Sequence, residues 1–455
     1  MTHAADGWAA VVMAAGQGTR MRSALPKVLH PVAGRPMVRH VVDAAREAGV
    51  TRCVVVVGHG AEQVRAALGG GVLYAEQPER LGTGDAVRRA RAAADGVRRL
   101  LVLNGDAALV TGDMLRLLMD RHVSSGAALT LLTARVADPA GLGRVVRGPD
   151  GGVARVVEDP EAGDEARTLD EVNTGLYCFD AAWLWAHLPR LERSAGGEYY
   201  LTDLVGLAVA EGAPVQAVPA PGDFDPVGIN DRVQLARAEA ALRRRFCERL
   251  MRDGVTIIDP ATTYVEAGVQ AGRDTVIYPN THLQGETRIG QGCHIGPNSV
   301  VRDSTVGDRC RIEASYVEGS TLEPDVLVGP FSHVRPGSYL ESGVHLGNYA
   351  EVKNSRIGAG TQQHHFSYVG DAQVGRDVNI GAGTITCNYD GREKHRTVIG
   401  DRAFIGSDTM LIAPVRVGDG ASTGAGSVVN RDVPADSLAV GVPARIRRKP
   451  PPEDP

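Results

Sequence analysis

The sequence predicts an α/β first half built on a mainly parallel sheet and a parallel β-helix in the second half. Three observations predict it. To about residue 230, short β-branched runs alternate with helix-periodic runs, as in βαβ units. After Gly254, aliphatic residues return at every sixth position. That period fits neither an α-helix nor an uninterrupted alternating strand. It fits a prism with three flat faces per coil, each sending one aliphatic side chain inward. The length of 455 residues also suits more than one hydrophobic core.

The first element is the apolar run in "VVMAAGQGTRM", Val11 to Met21, a strand that stops at Gly16-Gln-Gly18. A Gly-x-Gly turn after a strand is expected at the mouth of a helix, where unpaired N–H groups and the dipole favour an anion. A dinucleotide fingerprint would need a third glycine at Met21, and a P-loop would need Gly-Lys, which occurs nowhere. Arg20 and, in "SALPKVLH", Lys27 place two cations near the glycines, suiting a triphosphate or pyrophosphate. Glycines kept for backbone geometry alone are the alternative. Met37–Gly49 reads as a helix, Cys53–Gly60 as a strand, and Leu100–Leu109 as a strand ending at "NGD", Asn104 to Asp106. Ligands of such sheets lie beyond the carboxyl ends of the strands.

Asp231–Gly254 reads as one charged connecting helix with Leu235, Leu242, Phe246 and Leu250 on an apolar stripe. The repeat comes next. Val328, Val334, Leu340, Leu346 and Val352 form one series, and Ile399, Ile405, Leu411 and Val417 another. The spacing slips between Ile380 and Ile399, where Cys387–His395 inserts a loop, and loops on rigid scaffolds carry function. The expected boundaries are residues 1–230, the helix 231–254, the β-helix 255–448 and a disordered Pro-rich tail 449–455.

Lys and Arg number 49 against 54 Asp and Glu, a net charge of -5, which favours small anions at local sites over nucleic acid. Six cysteines without a C-x-x-C pair argue against a disulfide framework or a zinc site, and for reduced, structural thiols. No basic signal-peptide start and no apolar run of about 18 residues is present, so no membrane insertion and a cytoplasmic location are expected.

The GxGTR turn, the downstream "PK", the strand-end Asp and the hexapeptide prism together resemble a bacterial bifunctional family, N-acetylglucosamine-1-phosphate uridyltransferase fused to glucosamine-1-phosphate acetyltransferase, which makes UDP-N-acetylglucosamine. "GTRM", "LPKVLH", "GEYYLTD" (Gly197 to Asp203) and "NIGAGTITCNYDG" (Asn379 to Gly391) carry the resemblance over almost the whole chain. It implies a Rossmann-like α/β nucleotidyltransferase followed by a left-handed parallel β-helix of hexapeptide repeats. UTP and acetyl-CoA are the implied co-substrates, Mg²⁺ the cofactor and a homotrimer the assembly.

For uridylyl transfer the resemblance assigns Ala14, Ala15, Gly16, Gly18 and Thr19 to the nucleotide turn and Arg20 and Lys27 to charge neutralisation on the triphosphate. Gln77, with an amide that both donates and accepts, would read uracil beside Gly82 and Thr83. Gly143, Glu158, Asn173, Tyr200, Thr202 and Asn230 would bind N-acetylglucosamine-1-phosphate, and Asp106 and Asn230 would hold Mg²⁺.

For acetyl transfer to glucosamine-1-phosphate a base must deprotonate the amine. In "QQHHFSYVG" two adjacent histidines are expected on a flat strand with opposite faces, so that one serves. The resemblance selects His365, oriented by Glu351, and leaves His364 outward or in packing. Arg335, Lys353 and Lys394 would grip the phosphate, Tyr368 and Asn379 the sugar, and Ala382, Asn388, Tyr389, Ser407 and Ala425 acetyl-CoA, with the Ala382 N–H as oxyanion donor.

The chain departs from the family's usual residues at Gln17, at Ala107-Ala108 after the Asp, at Pro160, in the "QQHH" lead, and at Val442, where an arginine for the coenzyme A phosphate is typical. Arg445, Arg447 or Arg448 would take its place. A paralogue acting on another sugar or acyl donor, and a non-catalytic assembly subunit, share the architecture; retained Arg20, Lys27, Asp106, Asn230 and His365 speak against the latter.

Overall fold

The computed structural model describes residues 7–222, 224–226 and 228–448; the expected tail 449–455 lies outside the described residues. Contacts divide the chain into two compact units, Met1–Leu242 and Arg243–Pro455, so the division falls within the long helix Arg232–Arg252.

The first unit is built on nine strands: β1 (Trp8–Ala14), β2 (Arg52–Val57), β3 (Leu73–Glu76), β4 (Arg99–Asn104), β5 (Leu129–Arg135), β6 (Arg144–Arg147), β7 (Val153–Val157), β8 (Glu171–Asp180) and β9 (Val215–Pro219). The main path runs β9-β5-β8-β4-β1-β2-β3. It is parallel except for β8, which pairs antiparallel with both β4 and β5 and carries the β6–β7 hairpin. Val11 pairs with Val54 on one side and Val102 on the other. Alternate side chains enter two cores: Ala10 and Val12 pack with helices Met37–Glu47 and Gly112–Ser125, while Ala9 and Val11 pack with helices Thr83–Arg89 and Asp203–Ala210. Strands covered on both faces read as continuous apolar runs, which is what "AAVV" and "CVVVV" are.

Asp231 caps the long helix, its Oδ1 accepting from the Gln234 N–H at 2.8 Å, which leaves the neighbouring Asn230 amide for other work. The C-terminal end of that helix places Cys247 and Leu250 in the core of the second unit with Val255 and Ile257.

The second unit is a prism of three parallel faces. Face one runs from Thr256–Ile257 to Arg445–Arg448 in 12 strands, face two from Tyr264–Val265 to Val428–Val429 in 10, and face three from Gln270–Ala271 to Val415–Val417 in 9. The six-residue series steps around it: Val328 lies on face one, Val334 on two, Leu340 on three, and Leu346 returns to face one beside Val328. All four are buried. Corners demand left-handed backbone, and where glycine is absent Asp or Asn mostly supplies it, as at Asp303 (φ 45°), Asn354 (φ 45°) and Asp371 (φ 50°). The final strand, Arg445–Arg448, reverses direction and closes face one antiparallel to Ser437–Val440. Leu346→Ala is expected to cost about 2–5 kcal/mol by leaving a cavity in this interior, measured by chemical denaturation.

Candidate functional sites

The carboxyl ends of β1 and β4 open into two adjoining cavities. The first, about 520 Å³, is lined by Ala15, Gly16, Gln17, Gln77, Gly82 and Thr83 among others. The second, about 560 Å³, is lined by Arg20, Gly143, Glu158, Asn173, Tyr200, Thr202 and Asn230. Met13, Lys27, Thr83, Asn104, Asp106 and Glu198 belong to both. The residues expected at the sugar phosphate line the second cavity and Ala15, Gly16, Gln77 and Gly82, expected at the nucleotide, line the first; Arg20, expected at the triphosphate, lies instead in the second, and the two cavities meet at Lys27, Thr83 and Asp106 among others.

The opening turn differs from expectation. Gly16–Gly18 leads not into an α-helix but into one 3-10 turn, Thr19–Met21, ended by Arg22 at φ 48° and followed by Pro26. A single turn has no summed dipole, so anion affinity here rests on loop N–H groups and on cations. Gly18, at φ 65°, is needed for packing: a Cβ there would lie 2.4 Å from Lys27 Cβ. Ala14 is buried in β1, and neither it, Gly18 nor Thr19 lines either cavity.

The Lys27 ammonium sits between the two expected metal ligands. It pairs with Asp106 Oδ2 and donates to Asn230 Oδ1 at 3.0 Å. Two hard oxygens converging on one cation fit a small divalent ion whose remaining ligands are water and phosphate. Among the described residues no group of three His, Cys, Asp or Glu forms a metal site. Gly228 makes room for the Asp106–Asn230 pair; a Cβ there would press within 3.1 Å of Asp106 Oδ2.

In the second cavity Glu158 accepts from the Thr202 hydroxyl at 2.8 Å. Burial, reinforced by Asp203, Glu161 and Glu198, raises the Glu158 carboxyl above its ordinary value despite that bond. Asn173 is held by Tyr177 OH, on Nδ2 at 2.6 Å, and by the Gly175 N–H, on Oδ1 at 3.2 Å. Asn104, Glu198 and Gly175 also line this cavity and escape the sequence reading, although "NGD" and "GEYYLTD" contain two of them. Gly175 stands at φ 75° with its absent Cβ 2.0 Å from Asn104 Nδ2. Gly175→Ala is expected to cost about 1–3 kcal/mol, seen as a lowered melting midpoint.

Gln77 is buried, and its Nε2 donates to Gly82 O and to Asp85 Oδ2, both at 3.0 Å. The expectation of an amide that both donates and accepts is corrected: both N–H groups are spent, and only Oε1 remains for a ligand.

On the prism, His364 and His365 lie at the corner between Gln362–Gln363 of face one and Ser367–Gly370 of face two, both exposed, rather than on a strand. Alternation therefore does not separate them. His364 Nε2 donates to Gln362 Oε1 at 2.6 Å and packs on His345, ring centroids 4.4 Å apart. His365 is held through its backbone carbonyl, which accepts from Ser367 Oγ at 2.9 Å. Glu351 does not orient it. Its Oε1 instead accepts from Arg335 Nη1 at 2.8 Å, diagonally across face two, where the residue in register with Glu351 one coil back is His333.

Face two carries Arg335, Lys353 and Tyr368, with Asp371, Asn388 and Lys394 at its far corner. Asp371 gathers them: Lys353 Nζ lies 3.5 Å away, and Asn388 Nδ2 donates to it and, at 3.4 Å, to Tyr368 OH. The charge of the adjacent Lys353 holds Lys394 below the ordinary amine value. Two ammonium groups forced together are stabilised by an anion between them.

His365, Ala382, Ser407 and Ala425 stack along the edge between faces one and two in successive coils. Corner hydrogen bonds tie the stack, from Gly383 N–H to Phe366 O, Asp408 N–H to Ala382 O and Gly426 N–H to Ser407 O. Val442 comes in the next coil, exposed, with exposed Arg445 and Arg447 on the closing strand. Asn379 sits on face one beside Gln362. Asn388 and Tyr389 lie elsewhere, at the face-two-to-three corner in the inserted loop, where Tyr389 bridges to Lys394. One chain therefore does not gather all the residues expected at acetyl-CoA.

Fold and sites together define a nucleotidyltransferase unit joined to a hexapeptide-repeat acyltransferase. A MobA-like NTP transferase domain matches residues 10–199, and the bacterial transferase hexapeptide (six repeats) matches 268–303 and 396–431. The chain is 47% identical over 444 residues to the bifunctional protein GlmU of Geobacillus sp. (strain WCH70), covering 97% of this chain and 96% of that one. It is 49% identical over 445 residues to bifunctional protein GlmU of Trichlorobacter lovleyi, with 97% of each chain covered. With that of Heliobacterium modesticaldum it shares 50% over 433 residues, 95% of this chain and 94% of the other. The chain belongs to the bifunctional GlmU family. It is an acetyltransferase and uridyltransferase of UDP-N-acetylglucosamine synthesis, and its prism is a left-handed β-helix.

Proposed function

We propose that the two cavities of the first unit hold UTP and N-acetylglucosamine-1-phosphate, and that the His365 corner of the prism acetylates glucosamine-1-phosphate from acetyl-CoA. The observation that carries the first half is the meeting of the cavities at Lys27 and Asp106. A phosphate oxygen of the sugar attacks the α-phosphorus of UTP there, a P–O bond forms, and the α–β anhydride breaks to release pyrophosphate. No side-chain base is required, because a phosphate monoester with a second pKa near ~6 is already ionised. Arg20 and Lys27 offset the repulsion between anions. Asp106 and Asn230 hold Mg²⁺, which supplies further charge neutralisation when bound. Gln77 Oε1 accepts from uracil N3–H, while Glu158, Asn173, Tyr200 and Thr202 bind the sugar.

In the prism, His365 takes the amine proton as the N–C bond forms and the C–S bond breaks, and returns it to the thiolate. The phosphate lies between Lys353 and Lys394 with Arg335, which Glu351 positions. Tyr368 and Asn379 meet the sugar, and the Ala382 N–H faces the carbonyl oxygen.

A homotrimer is supported by the split of Asn388 and Tyr389 from Ser407 and Ala425 between two corners of one chain, and by a column of exposed Phe331, Tyr349 and Phe366 along the His365 edge. Sedimentation is expected to return three chain masses. Cytoplasmic work is inferred from the substrates; among the described residues no helix is long and apolar enough to cross a membrane. Chelation by EDTA is expected to stop pyrophosphate release and spare thiol release, with recovery on added Mg²⁺; loss of both would contradict the division of labour.

A further inference from the structure

The Gln77 amide is aimed by a residue that no ligand reaches. Asp85, in the first turn of helix Thr83–Arg89, has a fully buried side chain. Its Oδ2 accepts from Gln77 Nε2, while Arg88 donates to Oδ1 and Arg89 Nε lies 3.4 Å from Oδ1 and 3.5 Å from Oδ2. Neither arginine side chain is buried, so the pair closes Asp85 off from the outside.

A carboxamide can be turned through 180° with almost no change of shape, and its direction is fixed by the chemistry around it. Around Gln77 that chemistry is one-sided. Turning it over would set Oε1 against the Gly82 carbonyl and the Asp85 carboxylate, two acceptors. Burial alone would push the Asp85 carboxyl up, but the bonds from Gln77 and Arg88 and the two guanidinium charges outweigh it and hold it below the usual carboxylate range. The group next to Gln77 is therefore a pure acceptor.

We infer that Asp85 is the positioning residue for base choice: by accepting from Gln77 it leaves the amide with an acceptor only toward the pocket, which suits the N3–H of uracil and opposes the N3 lone pair of cytosine. The inference rests on the reading that Gln77 faces the base. Uracil gains a hydrogen bond where cytosine meets lone-pair repulsion. An amide free to rotate would serve either base.

The test is the ratio of kcat/KM for UTP to that for CTP, measured by pyrophosphate release with the full chain. Asp85→Asn is isosteric, but it offers one acceptor where Arg88 and Gln77 each require one. The ratio is expected to fall about tenfold or more in this variant, with acetyl transfer unchanged. Asp85→Ser provides a second variant should the first fold poorly. Adding Asp85→Asn to Gln77→Ala is expected to change the ratio no further, an outcome that a merely structural role for Asp85 would not produce. A ratio preserved in both Asp85 variants but lost in Gln77→Ala overturns the positioning role and leaves the base reading standing. A ratio preserved in Gln77→Ala overturns the base reading, and this inference with it.

Discussion

His365→Ala is expected to reduce thiol release from acetyl-CoA by at least about a hundredfold, the usual scale of a lost general base, while pyrophosphate release stays within about twofold of the unaltered chain. The first effect comes from placement. His365 is exposed at the mouth of face two, its backbone pinned by Ser367, with the Ala382 corner one coil away and the Lys353–Lys394 pair across the same face. On the proposed reading the amine is left to His365, since His364 is engaged with Gln362 and His345. His364→Ala is accordingly expected to keep most of the activity. The second effect comes from the two units having separate cores and separate sites. Equal loss from His364→Ala would show that the wrong histidine has been chosen.

Asp106→Ala is expected to produce the reverse: pyrophosphate release reduced by at least about a hundredfold, thiol release spared. Charge neutralisation at a phosphoryl centre is worth several kcal/mol, and roughly 1.4 kcal/mol is a factor of ten. Asp106 lines both cavities and shares the Lys27 ammonium with Asn230. On the proposed reading its removal takes away the anionic ligand, and it frees Lys27 from its carboxylate partner. Asp106→Asn, which keeps the shape and one oxygen, separates the two contributions. Near-normal activity in Asp106→Asn would mean that geometry, not charge, is the site's requirement.

The parts of this molecule legible in the sequence are those in which the period of the chain and the direction of burial coincide. A three-faced coil must send one aliphatic residue inward per face, so Val328, Val334, Leu340 and Leu346 declare it at six-residue spacing. The parallel strands β1, β2 and β4 declare themselves because both faces are covered. Strand direction leaves no such mark, and the antiparallel course of β8 is invisible in the residues. Partners one coil apart are hidden too. Glu351 meets Arg335 because an outward side chain also reaches the diagonal neighbour on the adjoining coil, two residues past its in-register partner His333. The Gly16–Gly18 turn reads as a helix mouth because glycines mark a turn but not the element after it, and Arg22 and Pro26 end the helical course after one 3-10 turn. Asp85 leaves no signal at all; an Asp in the first turn of a helix is ordinary until its burial and the Gln77 amide are seen together.

The central claim is that one chain carries two sites with divided chemistry, and a single incubation tests it. Purified full-length protein with glucosamine-1-phosphate, acetyl-CoA, UTP and Mg²⁺ is monitored by mass spectrometry for UDP-N-acetylglucosamine and by separate assays for free thiol and pyrophosphate. Product accumulating with one thiol and one pyrophosphate per molecule is the predicted result. Thiol without pyrophosphate, pyrophosphate without thiol, or neither would contradict it.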